Sequence, residues 1–480
     1  MKKLKMLSFI LACVCIFSTC NKDEIIVIEE DQAMDLKAGP AGEVFIVNPS
    51  GADDTPAILQ AFDNAKAAGP GSVVQLCQGE YFLGFLEIRD FYGSFKGAGK
   101  NQTIITAMNN LDLDPILAKG QYPDLIKFVG GDVMISHFTI QTPPGRISVG
   151  GLNRGYIVSL MNFSAINAQY YPLDETRSLN VVLDNVYFKG QILTAPDEGY
   201  PGDNYNYNCG FAFGTANDYR YWTGEPVPRQ KVDIKVTNTE FETFWVGAWF
   251  WNLKNSKIVL GEKNKGNTFN NLEFSTGIVE GRDNEALFAG NTFNISAFGT
   301  GLFLDDYSYN DYLKEEIPLK SSIINITDNA FNTAQSNFGL AFRNIQSFYS
   351  DHIPTAIQVI NNQFNMTDSY DWAIASHYSE GMVIRNNRFR GHGDIALFIA
   401  NHSKNGLFLG NNYSTATFET CLAFLDPTTS NWTFVGGNYK GKVIDLGVNN
   451  VFTGMNVSNA EVPLGRSISE KLVPMKHLMD

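Results

Sequence analysis

An asparagine followed two residues later by an aromatic side chain recurs along this chain. The pairs are Asn267/Phe269, Asn291/Phe293, Asn329/Phe331, Asn362/Phe364, Asn387/Phe389 and Asn411/Tyr413, with relatives at Asn185/Phe188, Asn238/Phe241 and Asn438/Tyr439. Their spacing is about two dozen residues, with expanded copies between Phe293 and Phe331 and between Phe331 and Phe364. Each copy repeats one order of parts. A short apolar strand comes first (GLFLDD from 301, GLAFRN from 339, WAIASH from 372, IALFIANH from 395, CLAFLD from 421), then a loop, an alternating strand, the Asn turn and the aromatic. Apolar residues at every second position predict strands. Units of this size without helices cannot bury an apolar face alone, so they stack as the coils of a parallel β-helix. The rival with a similar period is a propeller, whose antiparallel blades need hairpin turns that the sequence does not offer. The asparagine is expected to take a left-handed turn conformation and to hydrogen-bond along the stack, with the aromatic stacking inside.

Composition agrees with an all-β fold. Of 480 residues 44% are hydrophobic and 18% charged, and 43 glycines, 35 phenylalanines and 20 tyrosines favour short strands and tight turns. A solenoid needs covered ends, and residues 54–68 supply a capping helix. Asp54 or Thr55 is the N-cap, Pro56 lies in the first turn, Ile58, Leu59, Phe62 and Ala65 share a face, and Gly69-Pro70 stops it. This helix, followed by SVVQLCQGEYFLG and SFKGAGKNQTII, resembles the opening of the pectate-lyase-like superfamily of right-handed parallel β-helices, over about residues 43–460. The resemblance implies extracellular work on polysaccharides. The superfamily also holds adhesins and phage spikes, so the fold does not name an activity.

The expected organisation is a signal peptide over 1–20, a tether over 21–42 and a β-helix domain over 43–480, with a C-terminal cap about 457–480. Lys2, Lys3 and Lys5 precede an apolar run from Leu7 to Phe17 that is too short to span a bilayer. Phe17-Ser18-Thr19-Cys20 resembles a bacterial lipobox, which implies lipidation of Cys20 and an outer-membrane or cell-surface location; ordinary secretion is the alternative. Loss of the three lysines moves the formal charge from −14 to about −17. Such a surface repels nucleic acid and anionic membranes, leaving the lipid as the only membrane contact. The chain is expected to be a monomer. Cys77, Cys209 and Cys421 show no metal or disulfide spacing and are expected as buried thiols.

Stacked coils send the loop after each first strand out of the same edge. Long loops follow Leu160, Gly214, Leu304 and Phe342, and short ones follow Trp251, Gly281, His377, His402 and Asp426. Two walls with a low floor between them form a groove, the shape a chain-like glycan needs. The walls carry Tyr219, Tyr221, Trp222 and Tyr307, and the floor Trp249, Trp251, Glu280, Arg282 and Asp283. Exposed aromatic faces suit sugar rings, while Asp, Asn and Arg suit hydroxyls.

Aligning the first strands by alternation puts Ile278, Leu302, Leu340, Ile374, Leu397 and Leu422 inward. Three residues on, Gly281, Asp305, Arg343, His377, Ala400 and Leu425 then form one solvent-facing column. Asp305, Arg343 and His377 could serve as acid or base, charge stabiliser and proton shuttle, or simply as a cross-strand ion pair. A polysaccharide lyase would use Arg343 and Arg282 against a uronate carboxylate and His377 or a wall tyrosine as base. A glycoside hydrolase would draw two carboxylates from Asp305, Asp306, Glu280 and Asp283, with Glu280 a proton donor if its inward position holds. A non-catalytic glycan-binding or adhesive surface protein is the other reading. His402 is placed to extend the column.

Gly391-His392-Gly393 resembles a polygalacturonase motif, but the N-T-D and R-x-K partners of that family are missing and Asp305-Asp306 lies more than two coils away, so no catalytic residue carries over. His392 is expected on a turn after the Asn ladder, and His137, His352 and His477 are expected to be structural or solvated. No zinc, Walker or EF-hand string occurs. No cofactor is evident, and calcium on loop carboxylates is compatible with the sequence.

Overall fold

The computed structural model describes residues 42–108, 124–142, 159–165, 178–190, 209–214, 230–251, 253–279, 283–305, 322–333, 338–343, 356–369, 371–377, 379–436, 442–454 and 457–458. The expected signal peptide, Cys20 and tether lie outside them, as does nearly all of the expected C-terminal cap. Among the described residues no helix is long and apolar enough to cross a membrane.

Among the described residues the strands form one 30-stranded hydrogen-bonded system. Within the stack a strand pairs in parallel with strands one coil before and one coil after it: Ile323–Thr327 pairs with Glu285–Ala289 behind and Ala356–Ile360 ahead. A coil contributes three strands, for example Phe338–Arg343 in a first row, Ala356–Ile360 in a second and Gln363–Met366 in a third. Third-row and first-row segments often fuse into one bent strand, as in Thr292–Asp305 and Arg388–Ala400. The chain is thus a right-handed parallel β-helix, the hand that parallel crossovers take. The helix Thr55–Ala68 closes its N-terminal end and buries Ile58, Ala61, Phe62 and Ala65. The Phe62 ring packs 5.0 Å from Phe91 and 5.2 Å from Phe95. The Asp54 carboxylate does not cap the helix; it accepts from the Ser50 N–H (2.7 Å) and the Phe82 N–H (3.0 Å), tying the cap to the first coils.

The repeat that names the fold becomes two ladders at the corner entering the third row. Phe241, Phe269, Phe293, Phe331, Phe364, Phe389 and Tyr413 stack inside the coil with ring centroids 4.8–5.0 Å apart. Beside them Asn267, Asn291, Asn329, Asn362 and Asn387 each donate a backbone N–H and a side-chain N–H to the Oδ1 of the next asparagine, at 2.8–3.1 Å. Their second amide proton goes back one coil, as from Asn329 Nδ2 to the Phe288 carbonyl (2.8 Å). Buried amides are costly unless they are paired in this way.

The left-handed conformation expected of the ladder asparagine belongs to the residue before it: Asp328, Asn361 and Asn386 at φ 55°–58°, with Gly290 and Gly410 in the same role. Asn185 and Asn238 are themselves such corner residues, and Thr239 takes the rung after Asn238, its hydroxyl accepting from the Val186 N–H (3.5 Å) and its own N–H donating to Asn267 Oδ1 (3.0 Å). His137 sits at an equivalent corner, φ 64°, which accounts for it as structure. Short polar side chains and glycine carry the least strain there.

Candidate functional site

The first-row strands end on the edge from which the connections of unequal length leave. The chain runs from Ser164 to Ser178, Gly214 to Lys231, Asp305 to Ile323 and Arg343 to Ala356 before a second-row strand begins, but only from Trp251 to Lys257, Val279 to Glu285, His377 to Val383 and Ala400 to Leu407 elsewhere. The long and short connections therefore fall where the sequence put them. The wall residues Tyr219, Tyr221, Trp222, Asp306 and Tyr307 lie outside the described residues, as do Glu280 and Arg282 on the floor.

Register brings three of the candidates into line. Asp305 pairs with Arg343, and Arg343 with His377, on strands about 4.8 Å apart. Ala400 follows His377 on one flank, while Val279 and then Trp251 precede Asp305 on the other. Gly281 is not the neighbour of Asp305: irregularities between Asn270 and Leu272 and between Leu272 and Phe274 shift the pairing, so that Val279 stands there. Leu425 likewise pairs with Ile399 rather than Ala400, after a register shift between Gly393 and Ile395. The inward set Ile278, Leu302, Leu340, Ile374, Leu397 and Leu422 is buried in the core.

The column is not solvent-facing where its side chains are described. His377 is 3% exposed, Trp249 3% and Trp251 5%, so neither tryptophan offers an open platform to a sugar ring. The outward face of the first row carries its own apolar cluster, including Trp249, Trp251, Phe303, Trp372, Phe398 and Phe424. Trp249 lies parallel to Phe303 (6.4 Å between centroids) and Phe398 to Phe424 (5.4 Å). The His377 ring packs against Phe398 at 5.5 Å.

His377 is also held by polar groups from the next two coils. Asn401 Nδ2 donates to His377 Nδ1 (2.9 Å), and the Asn401 backbone N–H donates to Asp426 Oδ2 (2.9 Å). The other carboxylate oxygen of Asp426 accepts from the Thr428 N–H (2.9 Å) and hydroxyl (2.7 Å). Asn401 and His402 both adopt left-handed backbone, φ 52° and 62°. His402 is exposed, its N–H donating to Thr428 Oγ1 (2.8 Å), and it sits on this turn rather than extending the column. Sequence reasoning missed Asn401 and Asp426. Their signal was a polar residue directly after the apolar strands IALFIANH and CLAFLD, at the exit that His377 occupies in WAIASH.

The remaining candidates stand apart. Asp283 is a left-handed turn residue, φ 51°, with its Oδ1 buried and without a hydrogen-bond partner among the described residues. His392 lies within the strand Arg388–Ala400, not on a turn, because Gly391 at φ 82° lets the strand bend and continue. Its side chain is exposed, with Nδ1 3.0 Å from Thr417 Oγ1 and Nε2 3.7 Å from Glu419. Cys77 is buried, and Cys421 is a buried free thiol whose burial, reinforced by the charge of Asp394, pushes it up to about 12. The side chain of Cys209 is outside the described residues. Among the described residues no group of three or more His, Cys, Asp or Glu side chains could hold a metal ion. The loop carboxylates that the sequence offers to calcium lie mostly beyond them.

No family model matches the chain, and no curated protein matches it. Among solved structures it is similar to the A-module of the mannuronan C-5 epimerase AlgE6 of Azotobacter vinelandii, with 13% identity over 85% of this chain and 96% of that one and a TM-score of 0.43. It is also similar to the catalytic unit of a GH87 α-1,3-glucanase from Streptomyces thermodiastaticus, with 14% identity, coverage of 88% and 70%, and a TM-score of 0.42. A third is PfbA, a surface adhesin of Streptococcus pneumoniae, with 14% identity, coverage of 82% and 89%, and a TM-score of 0.42. The fold assignment rests on the ladders above, and no activity follows from likeness of this degree.

Proposed function

We propose that this chain is a carbohydrate-active β-helix protein that binds a polysaccharide across the first-row strand exits and cleaves it there. The observation that carries the reading is the register of Asp305, Arg343 and His377, three chemically different residues on successive coils at the edge where the long connections leave. A carboxylate, a guanidinium and an imidazole within one column can stabilise charge and handle protons on a bound chain. One carboxylate beside a guanidinium suits elimination, in which an acid group on the sugar is neutralised while the adjacent proton is removed. Hydrolysis would recruit a second carboxylate such as Asp306, Glu280 or Asp283.

The test is incubation with acidic and neutral polysaccharides, following both unsaturated products and new reducing ends. Unsaturated products identify a lyase, and reducing ends without them a hydrolase. Binding with neither product identifies the non-catalytic glycan-binding reading, which the burial of His377 favours. Retention of a detected activity by both Asp305→Ala and Arg343→Ala would remove the column from the chemistry. The same reading places the protein at the outer membrane or cell surface through a lipid on Cys20. Incorporation of labelled fatty acid that Cys20→Ala abolishes is the expected result, and labelling of the variant would sink it.

A further inference from the structure

We infer that Asn401, fixed by Asp426, is a positioning residue that locks the His377 ring as the neutral tautomer with its proton on Nε2. The inference rests on the proposed column only for its meaning in catalysis; the geometry stands alone. An amide nitrogen can donate but not accept, so Asn401 Nδ2 at 2.9 Å from His377 Nδ1 requires a lone pair on Nδ1. With Nδ1 accepting, the proton of a neutral imidazole sits on Nε2. The two ring nitrogens look to opposite sides of the ring, so this N–H is directed away from the coil that carries Asn401.

Asn401 is itself constrained. Its backbone N–H is held by Asp426 Oδ2 at 2.9 Å, its φ is 52°, and Asp426 is braced by the Thr428 N–H and hydroxyl. His377 is 3% exposed and packs on Phe398, which limits water as a competing partner. Among the described residues, pairing and hydrogen bonding set Arg343 next to His377 in register, Asp305 beyond it, and Asp426 behind Asn401. The carboxylate of Asp426 meets the Asn401 backbone and not the imidazole, so the residue touching Nδ1 is an amide. A carboxylate there would call for a proton on Nδ1. The consequence is a division of labour. His377 serves as a fixed hydrogen-bond donor alongside Arg343, suited to an oxygen that is or becomes negative, and the base of any elimination is another group.

The test is histidine-selective nitrogen NMR on the full-length protein at neutral pH, with the His377 signals identified by their loss in His377→Gln. The expected spectrum has Nε2 in the protonated range and Nδ1 in the unprotonated range. A proton on Nδ1, or on both nitrogens, would overturn the inference. Asn401→Asp is expected to move a proton onto Nδ1, and an unchanged tautomer in that variant would overturn it too. If that variant does not fold, the native spectrum alone decides. The measurement uses no substrate: a protein that cleaves nothing yet shows the Nε2–H ring sinks only the catalytic proposal, while one that cleaves and shows an Nδ1–H ring sinks only this inference.

Discussion

Two parts of the same coil treat sequence in opposite ways. At the corner entering the third row, successive coils place the same residues on one another, amide on amide and ring on ring, at 4.8–5.0 Å between rings. At the exit of the first row the register is equally continuous, but the residues differ at every step: Trp251, Val279, Asp305, Arg343, His377, Ala400. Repetition suits a corner whose task is to hold coils together. Variety is tolerated at the exit because the corner already fixes the register.

The comparison can be broken from either side. The largest effect is expected from Phe331→Ala, which opens the middle of the aromatic stack between Phe293 and Phe364 and should cost about 3–5 kcal/mol in chemical denaturation. Arg343→Ala should leave the denaturation midpoint nearly unchanged yet lower any detected cleavage by about 100-fold or more, the scale of lost charge stabilisation or proton handling. Asn329→Ala removes the acceptor of two buried donors of Asn291 and should cost about 2–4 kcal/mol.

A control for that loss lies one residue past the aromatic rungs Phe269, Phe293, Phe331 and Phe364, where Asn270, Asn294, Asn332 and Asn365 form a second, half-buried amide ladder on the outer face. Asn332→Ala there should cost under about 1 kcal/mol, since water can replace its partners. Equal losses for Asn329 and Asn332 would erase the distinction between buried and outer ladders.

The smallest effect concerns Cys421. Its folded value of about 12 exceeds the ordinary value of 9.0, so folding favours the protonated thiol. The associated stability is complete below pH 9 and is lost progressively as pH rises toward 12. Alkylation of native protein at mildly alkaline pH should therefore spare Cys421 until denaturant is added, as peptide mapping would show.

The corner was legible in the sequence because every rung spends the same residue types on the same task, and repetition survives irregular loops. The column was legible only locally. From Asp305 to His377 the strands pair without interruption, so counting by alternation works. It slipped at Gly281 and Leu425, because strand irregularities on either flank consume residues without advancing the register. The burial of Trp249 and Trp251 was illegible for another reason. Alternation tells which side of a strand a residue faces but not whether that side meets water, and here the outward side holds an apolar cluster of its own. Asn401 escaped notice because its role depends on a neighbour one coil away, His377, which lies 24 positions earlier in the chain.

The unequal connections have a consequence for engineering. The long passages from Asp305 to Ile323 and from Arg343 to Ala356 leave the pairing of Ile323–Thr327 with Ala356–Ile360 in full register, just as the short one after His377 leaves Val383–Arg385 paired with its neighbours. Loop length and coil register are decoupled, so the first-row exit behaves as a graft site. Foreign segments spliced between His377 and Val383 should be displayed at set intervals along a rigid axis, with the cost of each insertion growing only with the logarithm of its length.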